Sequence, residues 1–64
     1  MKIRDLVSTL DTHTITTVND SKRDTLSYPI FDGYLMEIET EEPQLLDITV
    51  ISYQLENNYL TITV

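Results

Sequence analysis

The chain of 64 residues lacks cysteine and contains only one glycine and two prolines. Without cysteine there is no disulfide, and a structural zinc site is not expected because His13 is the only possible nitrogen ligand. The single glycine excludes a glycine-rich phosphate-binding loop. We therefore expect no cofactor and no metal, and a fold that depends on its apolar core alone or on self-association.

Long apolar segments are also missing, since no run approaches the roughly 20 residues that a membrane-spanning helix needs. The opening from Met1 to Asp5 leads into an amphipathic stretch and does not look like a signal peptide. The hydrophobic content of 41% is nevertheless enough for a folded chain. These features predict one small domain over residues 1–64, soluble and cytoplasmic.

Basic residues are missing from most of the chain. Residues 1–23 hold four bases and three acids, a net charge of +1, whereas residues 24–64 hold eight acids and no base, a net charge of −8. The formal charge of the whole chain is −7. Such a surface repels nucleic acid and anionic membranes and attracts basic proteins, so we expect no direct contact with nucleic acid or membrane.

The N-terminal part has one helical and one extended pattern. Residues 13–18 are rich in β-branched side chains and predict a strand, which a polar turn follows at 19–24. Residues 2–10 predict an amphipathic helix because their apolar side chains recur at helical spacing, at Ile3, Leu6, Val7 and Leu10.

The middle of the chain is less regular. Residues 25–28 suit a short return strand, and 31–38 form an extended run whose inner face stays open, with Asp32-Gly33 as a turn or bulge candidate. Residues 40–47 predict a brief helical turn with Pro43 at its first position. Its leucines, Leu45 and Leu46, would enter the core.

The C-terminal hairpin has the clearest pattern. Asn57-Asn58 suits a two-residue type I′ turn because Asn tolerates a positive φ. This register puts apolar residues on one face and polar residues on the other, and it predicts burial of Tyr53, Leu55, Leu60 and Ile62, with Ile51 opposite Val64. The elements together predict an α+β fold, with an N-terminal helix packed on a mainly antiparallel sheet of three to five strands that ends in this hairpin.

Two groups of residues are candidates for chemistry or recognition. His13 would need Asp11 and a hydroxyl of Ser8 or Thr12 to act as a catalytic base, but no known catalytic arrangement surrounds it, and we expect a polar residue that opens a strand and no enzyme activity. The carboxylates of 37–42 lack the spacing and the glycine of a calcium loop. They are either a solvated rim or, with a nearby tyrosine, a protein-binding surface made of Glu37, Glu39, Glu41, Glu42 and Tyr34.

Four segments of the chain carry a resemblance to a known group, namely residues 2–11, 31–38, 43–47 and the closing strand 60–64. They resemble small proteins encoded in prophages and mobile elements of Gram-positive bacteria, which often begin with a short amphipathic helix and a first strand. The resemblance carries over no functional residue. It implies a phage context, in which small acidic proteins are often inhibitors of host defence or regulators, and anti-CRISPR and DNA-mimic proteins are similar in size and charge.

Two functions follow as expectations. The first is a non-enzymatic module whose acidic face binds a basic surface of a nucleic-acid-handling host protein. The alternative is a structural or assembly protein that self-associates through a sheet edge, and a homodimer is expected because the core of so short a chain is thin.

Overall fold

A computed structural model of the chain describes residues 1–22 and 29–64. The elements follow the order helix, two strands, helix, short 3-10 helix and two strands. The expected return strand at 25–28, which includes Tyr28, lies outside the described residues. The predicted α+β class is confirmed.

The N-terminal helix, α1, spans Ile3–Thr9, inside the predicted range. Its first turn is closed by Asp5, whose Oδ2 accepts a hydrogen bond from the Lys2 N–H at 2.9 Å. This contact satisfies one of the backbone donors that a helix start leaves unpaired. The apolar stripe faces the core as expected, and its buried residues are Ile3, Leu6 and Val7.

Within residues 1–22 and 29–64, the sheet has four strands in the order β2-β1-β4-β3. Strand β1 (Ile15–Asn19) is antiparallel to β2 (Phe31–Tyr34) and parallel to β4 (Tyr59–Thr63), which is antiparallel to β3 (Ser52–Glu56). Two of the three pairings are antiparallel, so the sheet is mixed. The chain therefore crosses from one edge strand, β2, to the other, β3, through its helical segment.

That segment corrects the expected extended run at 31–38. Only Phe31–Tyr34 is a strand, and Leu35–Glu41 forms a helix, α2. Two long-range bonds start the helix, because the Leu35 N–H donates to Thr14 O at 2.9 Å and the Met36 N–H to Thr12 O at 3.1 Å. The expected turn or bulge at Asp32-Gly33 was also wrong, since both residues pair regularly with β1.

The short helical turn is confirmed as the 3-10 helix η1 at Pro43–Asp47, with Pro43 in its first turn. Leu45 is buried and Leu46 packs partly against the core, as predicted. An exposed ion pair links η1 to α1, with Arg4 Nε 3.1 Å from Asp47 Oδ1.

The predicted hairpin register is confirmed pair by pair from Ser52–Thr63 to Glu56–Tyr59. Asn57 and Asn58 both have positive φ, 52° and 62°, as a type I′ turn requires. The expected pairing of Ile51 with Val64 is absent from the ladder. The Ile51 N–H instead donates to Thr63 O, and the Val64 N–H donates to Asn19 O of β1.

Burial within the hairpin differs from the expectation. Leu60 and Ile62 are fully buried, as predicted, but their partners Leu55 and Tyr53 are 47% and 48% exposed. The prediction of burial was wrong for these two residues because β3 is an edge strand. Among the described residues, the helical cover reaches the inner faces of β2, β1 and β4 and ends before β3.

Candidate protein-binding surfaces

The four glutamates of the predicted binding surface lie on α2 and its C-cap. Residues four apart on a helix share a face, so Glu37 and Glu41 are neighbours, whereas Glu39 lies on the opposite flank. Glu39 and Glu41 are exposed, and Glu37 and Glu42 are half-buried. The structure therefore gathers the four residues on one short element but divides them between its two flanks. We call this group, Glu37, Glu39, Glu41 and Glu42, the α2 carboxylates.

Two of the α2 carboxylates contact residues close to them in sequence. The Glu42 side chain accepts a hydrogen bond from the Gln44 amide. Glu37 covers Gly33, where a Cβ would lie 2.5 Å from the Glu37 Oε2 atom. Gly33 thus leaves the space that the Glu37 carboxylate occupies.

No α2 carboxylate forms an ion pair within residues 1–22 and 29–64. Arg4, the base within α1, is already paired with Asp47. Two further effects oppose this arrangement of charge. Like charges four residues apart repel each other, and acids in the last turn of a helix meet the negative end of its dipole, where α2 has no base. Glu37, in the first turn, instead meets the favourable positive end of the dipole, so it is the charge of Glu41 and Glu42 at the C-terminal end that opposes the stability of α2.

Tyr34, the fifth predicted binding residue, is the N-cap of α2 and is 46% exposed. It lies beside Ile15 in the ladder, and Ile15 also neighbours Tyr59. These three exposed side chains form a row across the outer face of the sheet, which no described element covers. Tyr34 thus belongs to the outer face and stands apart from the last turn of α2, where Glu41 lies.

His13 lies in an exposed turn before β1, whose first residue is Ile15 and not His13. Asp11 Oδ1 accepts a hydrogen bond from the His13 N–H at 2.9 Å, and the same oxygen is 3.7 Å from His13 Nδ1. Thr12 Oγ1 is 3.4 Å from Nδ1, whereas Ser8 Oγ donates to Asp5 O within α1. The Asp11 carboxylate therefore shapes the turn, which is a common use of Asp at such a position.

A second surface was missed by sequence reasoning. Tyr53 and Leu55 project from β3 on the same side of the sheet as the core but beyond its helical cover, and Ile51, just before β3, is 66% exposed. We call Ile51, Tyr53 and Leu55 the β3 apolar strip. Its signal was present as an apolar pattern, but that pattern also fits a buried strand, and only the strand order distinguishes the two.

Among the described residues, the outer face also holds a shallow depression of about 290 Å³ beside the hairpin turn. Its wall includes Tyr59, whose hydroxyl lies 2.7 Å from Thr17 Oγ1. Glu56 is the one charged residue of its lining, which also includes Gln54, Asn57, Tyr59 and Thr61.

Within the described residues, no group of three or more histidine, cysteine or acidic side chains is arranged to hold a metal ion. No helix in the same part of the chain is long and apolar enough to cross a membrane. The chain matches no protein-family model, no curated protein and no solved structure.

Proposed function

We propose that this chain is a non-enzymatic protein-binding module whose α2 carboxylates dock on a basic surface of another protein. The observation that supports the proposal is that none of these carboxylates forms an ion pair among the described residues, although Glu41 and Glu42 lie at the end of α2 where negative charge is unfavourable. Residues that weaken their own element are common where a surface serves binding.

The partner that suits this surface is a basic, nucleic-acid-handling host protein. Its phosphate-binding sites carry Lys and Arg, and carboxylates presented on an exposed helix compete with phosphates for them. The charge of −8 in residues 24–64 would also speed encounter with such a partner. The setting we propose is the bacterial cytoplasm, and the role is that of a phage-encoded inhibitor or modulator of the anti-defence or DNA-mimic type.

The second candidate function is assembly through a sheet edge. The observation that favours it is the β3 apolar strip, which lies on an edge strand and is exposed to solvent. An edge strand with apolar side chains readily pairs with another strand.

The first proposal is tested by removing the charge of the α2 carboxylates and comparing the effect with the removal of the same charge elsewhere. One variant carries Glu→Gln at residues 37, 39, 41 and 42. The matched control removes the same amount of charge elsewhere, through Asp11→Asn, Asp20→Asn, Asp32→Asn and Glu56→Gln. Asn keeps the oxygen that accepts the backbone N–H bonds made by Asp11 and Asp20, so the turns of the control are preserved.

Host proteins retained by the immobilised wild type are collected at low salt and at about 1 M salt, where the Debye length is about 3 Å. The association rate of the retained partner is then measured with each variant. We expect the α2 variant to associate slowly and without salt dependence, and the control to keep most of the wild-type behaviour. Equal binding by the wild type and the α2 variant at every salt concentration would refute the proposal.

A further inference from the structure

Among the described residues, nothing pairs with the outer edge of β3, which is formed by the backbone of two residues, Tyr53 and Leu55. Asn58 and Val64 flank β4. Asn58 O accepts a hydrogen bond from the Ile15 N–H at 3.3 Å, and the Val64 N–H donates to Asn19 O at 2.8 Å. The even-numbered residues of this segment therefore direct their backbone N–H and C=O groups towards β1. Because alternate residues of a strand direct their backbone groups to opposite sides, the odd-numbered residues of β4 direct their N–H and C=O groups towards β3. Their partners are the even-numbered residues of β3, and Tyr53 and Leu55 point their N–H and C=O groups away from the sheet.

This edge lacks the features that normally prevent strand pairing. Protected edges are short, or carry lysine, proline or a charge in the middle of the strand. β3 contains neither lysine nor proline, and its one charge is the terminal Glu56. The opposite edge strand, β2, has four residues with the charged Asp32 among them.

The charge distribution favours a second copy of this chain as the occupant. Two molecules of charge −7 repel each other over most of their surfaces. Residues 48–64 carry a single side-chain charge, at Glu56, so the hairpin is the part of the chain where this repulsion is weakest. The same segment holds the β3 apolar strip.

We infer that two copies of the chain pair through β3, antiparallel and centred on Gln54, to form one continuous sheet of eight strands. The inference rests on the second candidate function and names its partner. In this register Tyr53 lies opposite Leu55 of the second copy, and every outward N–H and C=O of the two residues gains a partner. Tyrosine and leucine then form a cross-strand pair on the apolar face, which is a stabilising combination.

Neighbouring registers lose these contacts. Centring on Tyr53 would place Leu55 opposite Ile51, whose N–H is already bonded to Thr63 O at 2.8 Å. Centring on Leu55 would place Tyr53 opposite Asn57, which lies in the turn with positive φ. Only the register centred on Gln54 brings outward residues of β3 together on both sides. It also places Glu56 opposite Ser52 and not opposite another acid.

The register is tested at Gln54, which lies opposite Gln54 of the second copy. Gln54 is exposed, so Gln54→Glu and Gln54→Lys should both leave the fold intact, which circular dichroism verifies. Each variant alone puts like charges directly opposite each other and should weaken the dimer by up to about fivefold. An equimolar mixture of the two variants puts opposite charges together and should restore at least wild-type affinity. Ser52→Lys, on the same strand, meets Glu56 of the second copy and is the matched control that should not weaken pairing.

Sedimentation equilibrium measures the mass against the 7.4 kDa of one chain. We expect the wild type to reach twice that mass at roughly 100 μM, because small edge contacts have dissociation constants near micromolar. A single-chain mass at that concentration overturns the inference, and so does a dimer that the Gln54 variants and their mixture leave unchanged. The variant with Gln at all four α2 positions should dimerise like the wild type, so loss of basic-partner binding and loss of pairing are separate results.

Discussion

Leu60→Ala and Leu55→Ala form a matched pair of perturbations, because the two leucines face each other in the hairpin on the same side of the sheet. They differ in cover, since Leu60 is 0% exposed and Leu55 is 47% exposed. Truncation of a fully buried leucine leaves a cavity and costs about 2–5 kcal/mol of unfolding free energy. For Leu55, about half of the roughly 2.4 kcal/mol of transfer free energy for three carbons is at stake, or about 1 kcal/mol, without a cavity.

Urea unfolding followed by circular dichroism measures both costs. We expect Leu60→Ala to lower the midpoint strongly and Leu55→Ala to lower it slightly, with similar dependence on urea. The measurement starts well below the micromolar dissociation constant expected for the dimer, where pairing through β3 contributes little. At higher concentration the wild type should gain stability that Leu55→Ala does not gain. Equal losses for the two variants at low concentration would show that the helical cover extends over β3, contrary to the exposure of Tyr53 and Leu55.

Three further predictions concern other parts of the fold. Ile62→Ala should cost about 2–5 kcal/mol, whereas Thr61→Ala on the outer face should cost far less, and similar urea midpoints would contradict the hairpin register. Asn58→Val should cost about 1–2 kcal/mol because a β-branched residue is strained at a φ of 62°, with Asn58→Gly as a nearly neutral control in the same thermal melts. Arg4→Ala should cost less than about 1 kcal/mol because its pair with Asp47 is exposed, and a loss that persists at high salt would show that the residue acts through packing instead.

The elements that sequence reasoning located best are those specified by nearby residues. The hairpin register depends on the turn residues Asn57 and Asn58 and on alternation over a few positions on each side, all within one local segment. The helix α1 likewise shows its apolar stripe within about two turns of chain. For such elements the period of the pattern and the turn chemistry are enough.

The helix α2 was missed because its start depends on distant residues. Leu, Met and Glu are good helix formers, and Leu35 and Ile38 have helical spacing, so a weak signal was present in 35–41. A seven-residue helix is not stable alone, however. The carbonyl groups of Thr12 and Thr14 accept its first N–H groups, and no pattern within 31–38 reveals that contact.

The candidate surfaces likewise depend partly on nearby residues, which the sequence reveals, and partly on distant ones, which it does not. Composition identified the α2 carboxylates as an excess of acid, but their division between two flanks required the helix. The apolar pattern of β3 matched that of β4, yet a pattern reports which face a residue takes and not whether another element covers it. Cover depends on strand order, and strand order depends on the long connection through α2 and η1. Because β3 ends the order, its apolar residues become a surface, and a chain of charge −7 is left with an edge strand whose one charge is the terminal Glu56, which is where a like-charged copy meets the least repulsion.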